Sequence, residues 1–442
     1  MIQGTIIAAL ASAPGKAGIS VIRLSGKGSA GLVKKFLISK KVGEGTEYNR
    51  LYFSLFVNEG EFIDEVTVVF YKDGHSYTGE ESAEIFCHGS PIVVKRILEA
   101  LYEVKGVREA EPGEFTQRRF MNGKMDLVQA EAVIDLINAE SEAGYTASKE
   151  QLEGGLSQEL KKINDMLVEL ITILELELDF ADEDLEFTPK EEISGKVDNA
   201  LEVIAKFIQG YETGRIFKDG IKVALVGEVN VGKSSLMNRL LQSDRVIVTE
   251  IAGTTRDTIE EKIEVHGYLL RIFDTAGIRE TSDMIESEGI SRSRKILEEA
   301  DIVLQIIDST NADKVTGIQV RNLIKVYNKC DLKDLSVEED SVKISCKTGQ
   351  GIDELKNLIV KSVIDEDLTY QPYYISNLRH LNILKETADQ LEQAKVSIKE
   401  SQTNEVVILD IRQALDTLGE LTGETASIDI INNIFGKFCI GK

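Results

Sequence analysis

Cysteine is scarce in this 442-residue chain, which has only Cys87, Cys330, Cys346 and Cys439. They form no CxxC pair and are too few for a disulfide scaffold, which suits a reducing compartment and excludes small stapled secreted folds. Long apolar runs are missing as well. The most apolar segments, such as Ile302 to Ile307, stop well short of a membrane span, and no basic start with an apolar run behind it marks a signal peptide. A cytoplasmic protein that engages no membrane is expected. Basic charge is in deficit: 51 Lys and Arg stand against 75 Asp and Glu, a formal net charge of −24. Phosphate backbones need local Lys and Arg to displace their counterions, so bulk coating of nucleic acid is excluded and any such contact must be local. Small basic clusters at Lys34–Lys35, Arg118–Arg119, Lys161–Lys162 and Arg292–Lys295 each read, taken singly, as solvated surface charge.

What is present is a change of texture along the chain. With 42% apolar residues it can bury ordinary cores, and its length suits about two to four domains. Residues 1–120 mix β-branched runs (ISVIRL, NRLYFSLFV, EVTVVFY) with the helix-like PIVVKRILEALYEV, the pattern of an α+β domain. Residues 121–215 turn helical: Leu156, Leu160, Ile163, Leu167, Leu170 and Leu174 recur at steps of four and three, one stripe of a long helix and the core of a bundle. Across 216–370 strand-like runs (IKVALVG, LLRIFD, IVLQIID, LIKVYNK, VKIS) alternate with helices, the rhythm of a mostly parallel, helix-covered sheet. Residues 371–442 are helical again. Helical segments on both sides imply an α/β domain inserted into an all-α one.

The α/β region carries the chemistry. GEVNVGKS, residues 227–234, follows the strand IKVALV and opens the helix SSLMNRLL. This is the setting of a P-loop, whose glycines let backbone N–H groups turn inward around phosphate at a helix N-terminus. Lys233 would reach the β and γ phosphates, and Ser234 would give its hydroxyl to Mg²⁺. LLRIFD ends in Asp274, placed to act on Mg²⁺; DTAG (Asp274, Thr275, Ala276, Gly277) would lie at the γ phosphate. NKCD brings Asn328, Lys329 and Asp331 to the end of another strand. A carboxylate there can accept both N1–H and the exocyclic amine of guanine, a donor pair that adenine lacks, so the ligand is GTP. Ser345-Cys346-Lys347 has the place of a base-supporting loop. Between P-loop and DTAG lies IAGTTRDT, residues 251–258, where Thr255 is the choice for a second Mg²⁺ hydroxyl and Thr254 its close competitor.

Beyond the GTPase set, with its IAGTTRDT and DTAGIRE, stand APGKAGISVIRLSG, SYTGEESAEIFCHG, EPGEFTQRRFMNGKMDLVQAEAVIDLI and the terminal CIGK. On these stretches the chain is similar to the MnmE (TrmE) family of tRNA-modification GTPases. The resemblance implies an N-terminal α+β domain that dimerises and binds 5-formyl- or methylene-tetrahydrofolate, a helical domain, and a P-loop GTPase domain inserted in the latter. It implies a homodimer that works with the FAD protein MnmG on tRNA, adding an aminomethyl or carboxymethylaminomethyl group at C5 of the wobble uridine. The folate contacts implied are Arg23, Glu84, Lys124 and Lys442; a folate's carboxylates suit Arg and Lys, and its pterin N–H donors suit a carboxylate.

Ile278 stands where Ras-like GTPases carry the glutamine that orients the attacking water. An aliphatic side chain can neither accept a proton from water nor hold it in line. The resemblance implies K⁺ in compensation, held by Asn230 and by Thr249, Ile251 and Thr254, with nucleotide contacts extending over Val231, Gly232 and Ser235 and over Glu250, Ala252 and Gly253. Water positioning would fall to Glu286, with Glu280 and Glu288 as alternatives. A GTPase used only as a timer, like Era or Der, is the other reading; NGK and CIGK would then have no use.

Overall fold

The structure, a computed structural model, describes residues 5–39, 42, 46–180, 188–244, 260–274, 295–311, 320, 322–333, 335–338, 341–364, 373–400 and 403–442. The chain divides into two compact units, one of residues 1–134 with 419–442 and one of residues 135–418. These units cut across the boundaries expected near 120 and 371, because the last residues pack on the N-terminal sheet.

In the first unit the strands are β1 (Ile6–Leu10), β2 (Ala17–Ser25), β3 (Leu37–Ile38), β4 (Tyr52–Asn58), β5 (Glu61–Tyr71), β6 (Ser82–Gly89) and β7 (Val107–Glu109). They form one sheet in the order β3-β4-β5-β6-β2-β1-β7, antiparallel except for the β1–β7 pair. Strands with one buried face alternate apolar and polar residues, so Ile22 and Leu24, Val66 and Val68, and Ala83 and Ile85 point inward. They pack with Ile97 and Leu101 of helix α2 (Pro91–Tyr102) and with helix α1 (Ser29–Lys34). Near β1 a smaller core of Ile7, Ala9, Ala110 and Phe115 forms on helix α3 (Glu114–Met121), and helix α4 (Leu127–Asn138) follows.

The C-terminal tetrapeptide is tied to this unit through backbone. The Phe115 amide donates to the Lys442 carbonyl at 3.2 Å and the Gly113 amide to the Cys439 carbonyl at 3.4 Å. Gly441 has φ 94°, and a Cβ there would run into the Leu10 carbonyl. Only glycine lets the tail lie this close to β1.

Helix α3 is fixed by a buried ion cluster. Arg108 grips Glu114 with two hydrogen bonds of 2.6 and 2.7 Å, and Arg118 adds a third at 2.9 Å. Burial pushes the Glu114 carboxyl up, but the hydrogen bonds from Arg108, the Glu111 amide and Arg118 outweigh it and hold the pKa below its ordinary value. A carboxylate with a depressed native pKa contributes stability above its unfolded pKa and loses it as pH falls through the native value. Glu114→Ala would leave Arg108 without a carboxylate partner and Arg118 with Glu80 alone, and should destabilise the chain by about 3 kcal/mol at neutral pH. The difference in melting temperature between wild type and variant is expected to shrink as pH drops below about 4.

The second unit holds helices α5 (Glu142–Leu152), α6 (Gly155–Asp179), α7 (Lys190–Gln209) and α8 (Tyr211–Asp219), then an α/β sheet, then helices α11 (Leu378–Lys399) and most of α12 (Asn404–Thr422). The expected stripe of α6 is buried from Leu156 to Leu174. The sheet consists of β8 (Ile221–Val226), β9 (Glu260–Val265), β10 (Tyr268–Asp274), β11 (Ile302–Asp308), β12 (Leu323–Asn328) and β13 (Ser341–Lys343), with α9 (Lys233–Asp244) and α10 (Ile352–Lys361) against it. Its order is β13-β12-β11-β8-β10-β9, parallel except for β9, which hairpins onto β10. The polar run EEKIEV hid β9 from sequence reading, since only Ile263 and Val265 are buried. Order reverses on either side of β8, so the loop after β8 lies at a topological switch point, where open α/β sheets bind ligands. A final helix, α13 (Ile428–Phe435), belongs to the first unit. Among the described residues no helix is long and apolar enough to cross a membrane.

Candidate functional site

Because β8, β10, β11 and β12 run parallel, their carboxyl ends bring the loop after Val226, Asp274, Asp308 and Asn328 to one edge of the sheet. The 227–232 loop turns through left-handed backbone at Asn230 (φ 67°) and at Gly232 (φ 102°). Lys233 opens α9, is 8% exposed, and folds its ammonium back to donate to the carbonyls of Gly227 (2.6 Å) and Glu228 (2.8 Å). Ser234 and Ser235 stand exposed in the first turn, on the side where a helix N-terminus favours an anion.

Asn328 joins three loops. It is 3% exposed; its amide donates to the Val231 carbonyl at 2.9 Å, and its oxygen accepts from the Lys329 amide at 2.8 Å and the Cys346 amide at 3.2 Å. The P-loop, NKCD and SCK segments are thus held together by a side chain whose polar atoms are all engaged within the protein. Asp331 is exposed, and one of its oxygens accepts from the Ser345 hydroxyl at 2.7 Å, which itself accepts from the Thr348 amide at 3.2 Å. The carboxylate is therefore oriented before any base arrives. Burial pushes the Cys346 thiol up, so it stays protonated at neutral pH and serves as packing. A cavity of about 370 Å³ opens between these loops, bordered by Asn230, Gly232, Ser235, Lys329, Asp331 and Lys347 among others.

Thr249, Glu250, Ile251, Ala252, Gly253, Thr254, Thr255, Thr275, Ala276, Gly277 and Glu286 lie outside the described residues. Asp274 is described at the end of β10, opposite Leu225 of β8.

In the first unit, Arg23 and Glu84 sit directly opposite each other on β2 and β6 and pair at 2.8 Å. Glu84 also accepts from the Tyr71 hydroxyl at 3.2 Å; burial first, then the Glu84 charge, raise the Tyr71 pKa. The Arg23 guanidinium stands 4.9 Å from the Tyr77 ring centre and 5.7 Å from that of Phe115. Arg119 lies over Tyr77 at 4.9 Å, and its carbonyl accepts from the Lys124 amide at 3.1 Å. The Lys124 side chain runs past Gly79. Since Phe115 also holds the Lys442 carbonyl, all four expected folate residues fall in one neighbourhood, with Tyr77, Phe115 and Arg119 beside them. Tyr77 has no mark in the sequence, and Arg119, which reads there as solvated surface charge, instead lies over the Tyr77 ring and donates to the Tyr77 carbonyl.

Comparison with known proteins gives the family. The family model "GTP-binding protein TrmE N-terminus" matches residues 6–124, and "MnmE helical domain" matches residues 127–439. The protein named tRNA modification GTPase MnmE from Aquifex aeolicus is 41% identical over 99% of both chains. Proteins of the same name are 40% identical in Natranaerobius thermophilus, over 99% of both chains, and in Porphyromonas gingivalis, over 99% of this chain and 98% of the relative. The chain belongs to the MnmE family. Its architecture is accordingly a TrmE N-terminal domain, an MnmE helical domain and a P-loop GTPase domain. The MnmE helical match extends on both sides of the sheet that carries the nucleotide motifs, as an inserted domain requires.

Proposed function

We propose that this chain is a GTP hydrolase of tRNA modification that, with MnmG and a folate-borne carbon, adds an aminomethyl or carboxymethylaminomethyl group at C5 of the wobble uridine. The observation that carries the nucleotide half is the joining of three distant motifs around one cavity through Asn328. In this reading Asp331 accepts the N1–H and amine of guanine, Lys329 covers the base, and the backbone amides from Asn230 to Ser235 hold the phosphates, with Lys233 moving from the loop carbonyls to phosphate oxygen. Thr249 through Thr255 and Asp274 through Gly277 would close over the γ phosphate, and Glu286 would place the water.

The donor set suits two cations. Ser234 offers an exposed hydroxyl at the start of α9 and Asp274 a carboxylate at a strand end, the oxygen ligands that Mg²⁺ takes together with Thr255. Asn230, exposed and turned into left-handed backbone, offers an amide oxygen to K⁺ along with Thr249, Ile251 and Thr254. When bound, K⁺ would supply the positive charge that an arginine finger brings to other GTPases.

Arg23, Glu84, Lys124 and Lys442 fit a tetrahydrofolate that brings rings, carboxylates and N–H donors to one place, and Tyr77 and Phe115 add aromatic surface. Ile38, Phe53 and Phe62, each more than half exposed on β3, β4 and β5, favour a homodimer through the first unit. The cytoplasm, where tRNA is modified, is the expected compartment.

Mass spectrometry of tRNA from cells lacking this chain should find wobble uridines without the C5 group, restored by the wild-type gene; unaltered nucleosides would overturn the proposal. For the purified chain, GTP turnover in KCl should exceed that in NaCl at least about tenfold, a fraction of the roughly 10³ to 10⁵ that an arginine finger's charge contributes in other GTPases. Equal rates would remove K⁺ from the mechanism.

A further inference from the structure

None of the nucleotide motifs contains Asp308, yet it stands among them. It ends β11 directly opposite Asn328 of β12 in the parallel register. One of its oxygens, Oδ1, accepts from the Thr310 amide at 2.9 Å and from the Thr310 hydroxyl at 2.7 Å. The other, Oδ2, accepts from the Lys329 ammonium at 2.5 Å. That same ammonium donates to the Asn230 carbonyl at 3.3 Å. Asp308, Lys329 and Asn230 thus form a chain across three loops, carboxylate to ammonium to P-loop carbonyl.

Both ends of the lysine's span are backbone positions that non-glycine residues seldom adopt: φ is 66° at Lys329 and 67° at Asn230. Such residues persist where the surroundings over-determine them. The Lys329 side chain is flexible and would otherwise sample many rotamers. Asp308, anchored by Thr310, is a fixed point from which one rotamer is selected. Burial raises the Asp308 pKa, and the hydrogen bonds from Lys329 and Thr310 more than reverse this, so the carboxylate is charged at neutral pH.

We propose that Asp308 is a positioning residue for the nucleotide. It holds the Lys329 stem over the base cavity and, through that ammonium, keeps the Asn230 carbonyl turned, so that the phosphate and base loops are set before nucleotide enters. The inference rests on the reading of this cavity as a guanine-nucleotide site. A fixed lysine lowers the ordering cost of binding; it makes no difference to the bond that breaks. Asp308 should therefore act on affinity and KM and leave kcat almost untouched.

The test uses the full-length chain, fluorescent GDP and steady-state GTP hydrolysis, with wild type, Asp308→Asn, Lys329→Met and the double variant. Asp308→Asn preserves shape and the acceptor for Thr310, and removes the charge that Lys329 needs. It is expected to weaken GDP and raise KM about tenfold, the order for one charge-assisted hydrogen bond at a partly exposed site, with kcat within about twofold. Lys329→Met should weaken GDP at least as much, and Asp308→Asn should add almost nothing on top of it. Wild-type affinity in Asp308→Asn would overturn the proposal, as would additive losses in the double variant. An Asp308→Asn chain whose nucleotide-free melting temperature falls while its kcat and KM fall together would assign Asp308 to the frame of the sheet and also overturn it. A wild-type chain that ignores GDP would strike the nucleotide reading itself, and the proposal with it.

Discussion

Gly232→Ala is expected to weaken nucleotide binding severely, lowering affinity for GDP by about a hundredfold. Two effects add. Gly232 has φ 102°, which an L side chain rarely adopts, a strain on the order of 1 to 3 kcal/mol. The new Cβ would also land on the Asn328 amide, which is neither free nor at the end of a flexible chain. It is buried and engaged with the Val231 carbonyl, the Lys329 amide and the Cys346 amide. Displacing it leaves buried polar groups without partners at about 1 to 3 kcal/mol each, and releases the base loop from the phosphate loop. Every 1.4 kcal/mol is tenfold, so even the lower ends of these ranges together exceed tenfold and their middles exceed a hundredfold. Titration with fluorescent GDP checks this. A variant that binds as wild type would mean that Asn328 can yield, and that the three loops need no shared clamp.

The two halves of the chain were unequally legible from sequence. In the α/β domain the P-loop pattern is readable because local rules act over a short stretch: the strand, the glycines, Lys233 and Ser234 follow one another without interruption. Asp331 and Ser345 were readable as separate motifs, but the 2.7 Å contact between them is a product of β12 and β13 lying side by side. Asp308 carries the same signal as Asp274, a carboxylate ending an apolar strand; without the strand order, nothing tells which of the two meets the lysine of NKCD. In the first unit, Arg23 and Glu84 are 61 residues apart and their pairing depends on the β2–β6 register. No periodicity predicts such a register. Lys442 reaches the same place only because Gly441 can lie against Leu10, a steric fact invisible until the chain is folded. Composition is informative mainly by exclusion: the acidic net charge argues against a nucleic-acid coat, and it says nothing of where Arg23, Arg119 and Lys124 come together around Tyr77 and Gly79.

Asp331→Asn should exchange the base that the pocket accepts. In the wild type Asp331 presents two acceptors, and the Ser345 hydroxyl, itself held by the Thr348 amide, donates to Oδ1 and fixes the plane of the carboxylate. Among the described residues no hydrogen bond reaches Oδ2, and in the proposed reading it is the oxygen that meets the base. Guanine brings N1–H and an exocyclic amine, both donors, and the match is charge-assisted. With asparagine the Ser345 donor still requires an oxygen opposite it, which directs the amide nitrogen to the place of Oδ2. A donor then meets the guanine amine, and the pocket's charge is lost. GTP affinity should fall by about 10² to 10³, the penalty of facing polar groups left unpaired. Xanthine carries a carbonyl oxygen where guanine carries the amine. It can accept from the new amide, so xanthosine triphosphate should bind the variant better than GTP does, the reverse of wild type. Competition of the two triphosphates against a fluorescent nucleotide measures the exchange. If both lose affinity equally, Asp331 supports the fold of the loop and does not read the base; if Ser345→Ala in the variant background erases the new preference, the hydroxyl is what dictates which way the amide points.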